Sequence, residues 1–475
     1  MPAQFQYVSL ADEIQDKIAS GQYRAGDRLP SLRKLHARAR LSISTVYQAY
    51  IELEKRGLVE SRNKSGFFVK ARVHGEQTAP KLKLVEPVPK PVNVDALAKV
   101  IVEKISEPGI INLGGAMPDP SLLPIKQLTR ELKSVSGKDM ARLLSLYEHP
   151  AGNPELRREI VRRTTGTAKQ GMVDEVIITQ GCLEAVFLCL RAVAKPGDVI
   201  AVESPTFHGL LQLIEDLGMK ALEIPTDPQT GISLPHLKDA LDRISVEACV
   251  FVPTFQNPTG GSMPLEAKEE LVELLGEREI PIIEDDIYGD LYFGETRPAA
   301  LKSFDRRGMV LFCSSFSKTL SSGLRVGWTL PGKFTERVIR MKCNTNISSA
   351  SLPQHVIAQY LKNGAYERHL RRLRNLLKNN VANMSLALRE HFPEDAKLTM
   401  PQGGMLIWVE LDERVDSFEV YKVAEKEGIC FLPGLICSTS NRYRNCIRIN
   451  CGGTLTPKVE KGIALLGQMI KDFRP

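Results

Sequence analysis

The stretch Ser314-Ser315-Phe316-Ser317-Lys318-Thr319-Leu320 decides how the rest of the chain is read. The apolar run Met309-Val310-Leu311-Phe312 enters it with the pattern of a buried strand, and hydroxyl residues and a glycine follow. A single lysine therefore stands at the edge of a sheet, between hydroxyls that can donate to a phosphate. Such a lysine can form an imine with an aldehyde. A lysine at a strand end is by itself more often a solvent-facing side chain, so its meaning depends on what other segments place around it.

Those segments alternate. Val176-Ile177-Ile178-Thr179 predicts a strand that ends at Gln180-Gly181-Cys182, followed by a helix over Leu183 to Val193. A glycine at such a junction can present helix N-terminal amides to phosphate, although alone it reads as a tight turn. Strand Asp198–Val202 precedes a helix from His208 to Leu217, and Ala248 to Val252 precedes Asn257-Pro258-Thr259-Gly260. A helix from Glu266 to Leu275 leads to strand Ile280–Ile283, which ends in Glu284-Asp285-Asp286-Ile287-Tyr288. This order predicts an α/β domain with a largely parallel sheet whose ligand site gathers at strand ends.

The acidic strand end supplies a second part of the chemistry. An aspartate such as Asp285 beside a pyridine nitrogen keeps it protonated, and pyridoxal phosphate (PLP) is the commonest cofactor that needs both that and an imine-forming lysine. Tyr288 and Asn257 can share the ring's phenolic oxygen. A magnesium site is the rival reading of the same acidic run. The turn-rich Ile110 to Pro118 could offer backbone N–H groups to a substrate anion.

The N-terminus has a different pattern. Leu10, Ile14 and Ile18 are spaced four apart on a helix from Leu10 to Ser20. Ser31 caps a second helix through Leu32 to Ala39, and a third runs from about Ile43 to Arg56 with Val46, Ala49, Tyr50 and Leu53 inward. Gly57 ends it, and Leu58 to Ser61 and Phe67 to Val69 form a hairpin with a basic tip. Three helices and such a hairpin make a winged helix-turn-helix. Ser42, Ser44, Thr45, Tyr47 and Gln48 would then enter the major groove, with Arg33 and Lys34 on backbone phosphates and Lys64 at the wing.

Composition sets the frame. The 475 residues have a net charge of +7. Residues 1–90 hold 16 Lys/Arg against 9 Asp/Glu, whereas the remainder holds 47 of each, so the excess points to a polyanion partner at the N-terminus. No apolar stretch is long enough for a membrane span and no signal peptide is evident. The nine cysteines begin at Cys182 without pairing rhythm or tight metal spacing, so a cytoplasmic setting without structural zinc is expected. Prolines 80, 87, 89 and 91 mark a semi-rigid extended linker, with a helix from Asp95 to Ile105 beyond it.

Residues 8–70 resemble the GntR family of bacterial regulators in Ala25-Gly26-Asp27-Arg28-Leu29-Pro30-Ser31-Leu32-Arg33, Ser42-Ile43-Ser44-Thr45-Val46, Gly57-Leu58-Val59 and Ser65-Gly66-Phe67-Phe68-Val69. Arg33 matches a family arginine that contacts DNA. Ile43 stands where members commonly carry a base-reading arginine, so a changed base preference is expected. From about residue 108 to 470 the chain resembles the aspartate-aminotransferase-like proteins of PLP fold type I. That resemblance implies Lys318 as the internal-aldimine lysine, Asp285 on the pyridine nitrogen, Asn257 and Tyr288 on the ring oxygen, and Phe207 stacked on the ring. It implies Gly181, Cys182, Ser315, Ser317 and Arg325 as phosphate ligands, and Tyr147 reaching the phosphate of the neighbouring subunit. Arg448 would bind a substrate α-carboxylate, with Gly115 opposite.

Together the halves resemble the MocR subfamily of regulators. The expected organisation is a winged helix over residues 1–72, a linker over 73–93 and a PLP domain over 94–475. Its large lobe would span about 120–335, and its small lobe the N-terminal arm plus about 336–475. The resemblance implies a cytoplasmic, chromosome-associated homodimer that senses PLP or an amino compound through aldimine chemistry and controls genes of amino-acid, amine or vitamin B6 metabolism. An aminotransferase that passes an amino group from an amino acid to a 2-keto acid is the alternative.

Overall fold

The computed structural model describes residues 6–62, 65–70, 79–94, 99, 107, 109–165, 170–440 and 442–474. Helices Gln6–Ala19, Leu32–Ala39 and Ile43–Lys55 and the antiparallel pair Val59–Arg62 and Gly66–Val69 form the N-terminal unit. The Ser31 hydroxyl accepts from the Lys34 N–H and the Ser42 hydroxyl from the Thr45 N–H, so both short helices start where an orphan amide finds a side chain. Gly57 turns the chain out of the third helix at φ 65°. Leu10, Ile14, Val46, Ala49, Tyr50 and Leu53 fill the core as the helical spacing requires. The first helix is already formed at Gln6, the first described residue, four residues before its apolar pattern, and Tyr7 also packs on that core. Lys64 and, apart from Lys99, the expected Asp95–Ile105 helix lie outside the described residues.

The proline-rich stretch is not a free spacer over its described residues 79–94. Lys90–Pro91 pairs antiparallel with the edge of Lys220–Asp227, Val85, Val92 and Val94 are buried, and Lys83 donates to Asn445 Oδ1 at 3.2 Å. Proline is tolerated there because an edge strand can spare an N–H.

Beyond it lies the large α/β unit. Its sheet runs Lys90–Pro91, Lys220–Asp227, Val199–Ser204, Ala248–Phe251, Ile282–Asp285, Val310–Ser315, Gly327–Leu330, Ile177–Thr179, with Gly231–Ile232 paired to the side. The strands from Lys220–Asp227 to Val310–Ser315 are mutually parallel, and Gly327–Leu330 is antiparallel to both its neighbours. Thr179, Ser204, Phe251, Asp285 and Ser315 therefore end at one edge. Apolar layers on both faces bury the sheet, including Ala185, Val186, Cys189 and Leu190 of the Cys182–Val193 helix.

A smaller C-terminal α/β lobe carries an antiparallel sheet in the order Lys397–Leu398, Leu406–Glu410, Cys446–Asn450, Leu432–Pro433. Helices Ala365–His391, Ser417–Lys426 and Pro457–Asp472 pack beside it. Among the described residues, the N-terminal unit bonds to this lobe through the turn at Arg24 and Ala25. Arg24 donates to the Leu455 carbonyl at 2.9 Å and pairs with Glu460, while the Ala25 N–H donates to Asn383 Oδ1 at 2.9 Å. Among the described residues, no helix is long and apolar enough to cross a membrane.

Candidate functional site

A cleft opens at the C-terminal edge of the parallel strands. Each strand delivers its residue by the short turn that follows it: Gly181 and Cys182 after Thr179, Phe207 after Ser204, Asn257 after Phe251, Tyr288 after Asp285, and Ser317 and Lys318 after Ser315. Cys182, Phe207, Asn257, Asp285, Tyr288, Ser317, Lys318 and Arg325 line one cavity of about 150 Å³. These residues are up to 143 positions apart in the chain, and only the sheet brings them together.

Lys318 is half-buried and donates from Nζ to Met117 Sδ at 3.2 Å. Loss of solvent, followed by the Arg448 guanidinium, disfavours its ammonium and brings its pKa down to about 8. Asp285 Oδ1 accepts from the Cys182 thiol and the Ile287 N–H, each at 3.2 Å. Burial pushes its carboxyl up to about 6, which still leaves a carboxylate at neutral pH. Burial raises Tyr288 above the ordinary phenol range, while Arg448 and an Asn257 hydrogen bond pull the other way. Cys182 is raised well above an ordinary thiol, first by burial and then by Asp285, so it is a neutral donor.

The phosphate-sized end is built by backbone. Gly181, at φ +93°, begins the Cys182–Val193 helix with no side-chain cap, so helix N-terminal amides are left to an outside acceptor. A Cβ on Gly181 would sit 2.5 Å from Arg325 Nη2, whose guanidinium donates to the Gln180 carbonyl at 2.9 Å. The Ser315 hydroxyl accepts from the Ser317 N–H at 3.2 Å, and the Ser317 hydroxyl lies 3.5 Å from Arg325 Nη1. Amides, hydroxyls and a guanidinium suit a phosphate at one end, and a buried carboxylate and a lysine suit a pyridine aldehyde at the other. The residues present fit PLP.

Arg448, in the strand Cys446–Asn450, is buried and crosses from the small lobe to the same cleft. It donates from Nη1 to Asn257 Oδ1 at 2.7 Å and from Nη2 to the Gly114 carbonyl. Its Nε has no partner among the described residues. The glycine it meets is thus Gly114, one residue before the expected Gly115, whose N–H is held by Asn112 Oδ1. Tyr147 lies apart from the cavity and is 82% exposed. Met117, Val252 and Ile287 line the cavity without having been singled out, because apolar lining carries no motif.

On the N-terminal unit, Arg33, Lys34, Ser42, Ser44, Tyr47 and Gln48 are exposed, with Thr45 half-buried. Ser42 Oγ lies 2.7 Å from Ser44 Oγ and 2.8 Å from Thr45 Oγ1, so these hydroxyls also serve the helix start. Ile43 is 45% and Tyr47 is 47% exposed, both large apolar surfaces left in solvent at the head of the third helix. The turn that docks on the small lobe, Arg24–Gly26, leaves that head free.

Comparison with known proteins agrees with both halves. The aminotransferase class I and II family matches residues 108–464, and the bacterial regulatory proteins of the gntR family match residues 6–69. Two Escherichia coli K12 proteins named uncharacterized HTH-type transcriptional regulators, YjiR and YdcR, are 38% and 37% identical, each across 98% of this chain and 98% and 99% of their own length. Among solved structures, Pyrococcus horikoshii kynurenine aminotransferase in complex with PMP superposes with a TM-score of 0.74 at 28% identity, covering 81% of this chain and 96% of that one. Thermus thermophilus α-aminoadipate aminotransferase, complexed with N-(5'-phosphopyridoxyl)-L-leucine, gives 0.73 at 26%, with the same coverage.

Proposed function

We propose that this chain, which belongs to the MocR-type regulators (a GntR-family winged helix joined to an aminotransferase-class fold type I domain), binds DNA through the former and regulates transcription in response to PLP or an amino compound held by the latter. The observation that carries the reading is the joint presence of two intact surfaces in one chain. The polar head of the Ile43–Lys55 helix is exposed, and Lys318, Asp285, Tyr288 and Asn257 line one cleft. Relatives named as regulators match both surfaces together, across nearly their whole length.

Bound PLP supplies an aldehyde that condenses with amines and a ring that accepts electrons. Lys318 holds the cofactor by its side chain, and a pKa of about 8 leaves part of its amine neutral near pH 7. Asp285 would keep a proton on the pyridine nitrogen, Tyr288 and Asn257 would bind the ring oxygen, and Phe207 would pack against the ring. Gly181, Cys182, Ser315, Ser317 and Arg325 bind the phosphate, and Tyr147, exposed here, reaches toward a partner subunit in a homodimer. Arg448 offers its guanidinium to a carboxylate of the incoming amine. At the other end Arg33 and Lys34 meet backbone phosphates, and Ser42, Ser44, Thr45, Tyr47 and Gln48 meet base edges.

The link between the two is the docked turn. Arg24 and Ala25 bond to Glu460, Leu455 and Asn383 of the small lobe, the lobe that also supplies Arg448. A shift of that lobe when Arg448 takes an anion is passed to the DNA-binding unit through these bonds.

The test is fluorescence anisotropy of the PLP-loaded protein on DNA from its own upstream region, against a scrambled duplex at fixed salt. Specific binding altered by PLP supports the regulator. Equal weak binding to both duplexes overturns it. The complete set of Lys318, Asp285, Tyr288 and Arg448 also favours a second reading, amino transfer to a 2-keto acid. Its measure is repeated keto-acid-dependent turnover, not a single stoichiometric release.

A further inference from the structure

A second cavity, of about 270 Å³, lies at the root of the long Ala365–His391 helix and shares no lining residue with the lysine cleft. Arg130 of the Ile125–Lys133 helix, Tyr360 of the Ser351–Lys362 helix, and Arg368, His369 and Arg372 of the long helix line it. Among the described residues none of the three guanidiniums has a hydrogen bond or an ion pair. Of the acids beside them in sequence, Glu367 pairs with Arg163, and Glu131 accepts from Asn363 Nδ2 at 3.2 Å while its charge still acts on Tyr360. Arg368 and Arg372, one turn apart, are a like-charge pair that costs the helix stability and has no compensating partner.

The rest of the lining is mixed: Leu122, Leu123, Pro124 and Ala365 are apolar, and Gln127, Tyr360 and His369 are polar. Tyr360 is only 1% exposed, and its hydroxyl has no hydrogen-bond partner among the described residues. The hydroxyl oxygen keeps solvent access, so the cavity is where it meets water or a ligand. His369 is 9% exposed, and its Nε2 lies 2.7 Å from the Thr319 carbonyl oxygen. Three unpaired cations in one concavity focus a positive potential, and the planar fork of arginine matches phosphate oxygens. The volume suits a small molecule, not a polymer.

We propose that this basin is a second ligand site, separate from the lysine cleft, for a small phosphate monoester held by Arg130, Arg368 and Arg372. Its wall is also the support of the lysine loop. Thr319 follows Lys318 directly, its carbonyl meets His369, and its hydroxyl accepts from the Tyr366 hydroxyl at 2.6 Å. A ligand seated on the first turns of the long helix thus lies one residue's contacts away from Lys318.

The experiment titrates inorganic phosphate calorimetrically into full-length protein carrying Arg325→Ala, which weakens the other phosphate-sized cradle. The same titration is run with Arg368→Gln and Arg372→Gln added. Both arginines are exposed, so the added changes leave the fold intact, and a thermal melt checks this. The expected result is one phosphate site in the first protein and a loss of affinity of about tenfold or more in the second. An Arg130→Gln chain, from a different helix, is expected to lose affinity as well. No phosphate heat in the first protein, or equal affinity in both, overturns the site. Succinate displacing phosphate at equal concentration overturns the assignment to a phosphate.

Discussion

Arg448 Nη1 lies 2.7 Å from Asn257 Oδ1, so a strand of the small lobe is tied to a turn of the large sheet inside the cleft. Asn257 and Tyr288 line the same cavity, and Asn257 acts to lower the Tyr288 pKa against the rise from burial. The same guanidinium is the second cause, after loss of solvent, of the lowered Lys318 pKa. One residue therefore touches Asn257 and bears on the state of the lysine, and under the proposed function it would also meet the effector's carboxylate.

Replacing Arg448 with glutamine is expected to weaken effectors that carry a carboxylate by roughly 10- to 100-fold, the worth of a lost charge-assisted pair. Simple amines without a carboxylate are expected to keep their affinity. Titrations of the PLP-loaded protein, followed by its visible absorbance, check both.

The rate of PLP reconstitution of the apo protein is expected to rise with pH and to level off above about 8, where the Lys318 amine is neutral. The sign follows from the acid: below its pKa the lysine is an ammonium and not a nucleophile. Because a like charge lowers a lysine pKa, Arg448→Gln is expected to move the midpoint upward. Rapid mixing across a pH series measures it. The same depression makes Lys318 destabilising once it is protonated: the penalty is absent above 10.5, grows as pH falls, and is fully present below about 8.

Gly181→Ala places a side chain at φ +93° and against Arg325. A loss of roughly 1–2 kcal/mol of stability is expected from the left-handed backbone, together with a weaker hold on the cofactor phosphate. Denaturant midpoints and PLP titration report the two effects separately.

On DNA, Arg33→Ala is expected to weaken upstream and scrambled duplexes alike and to reduce the salt slope by about 1. Gln48→Ala is expected to weaken the upstream duplex selectively, by about 1–3 kcal/mol if it meets a base edge. Salt-dependent anisotropy separates them.

The residues that could be read in advance were those whose local chemistry is self-contained. Ser31 capping, the inward row Val46, Ala49, Tyr50 and Leu53, and the turns after the strands at Val199, Ala248, Ile282 and Val310 follow from local pattern. The strand Lys220–Asp227 was not legible. It contains Pro225 and a buried Glu223 whose charge is met by Ser438, Thr439 and Ser440, more than 210 residues later. Gly327–Leu330 was hidden for a related reason: only four residues long, it pairs antiparallel between distant neighbours. Arg448 meeting Gly114 rather than Gly115, and Arg24 meeting Glu460, depend on how lobes seat on each other, and no local pattern encodes that.

The most direct test of the account is the apparent affinity for the upstream duplex as a function of PLP concentration, in the wild-type chain and in Lys318→Ala. The account predicts a PLP-dependent shift in the wild type and a flat response in the variant, with both proteins retaining the same affinity in the absence of PLP. A flat wild-type response, or the same shift in both proteins, would contradict it.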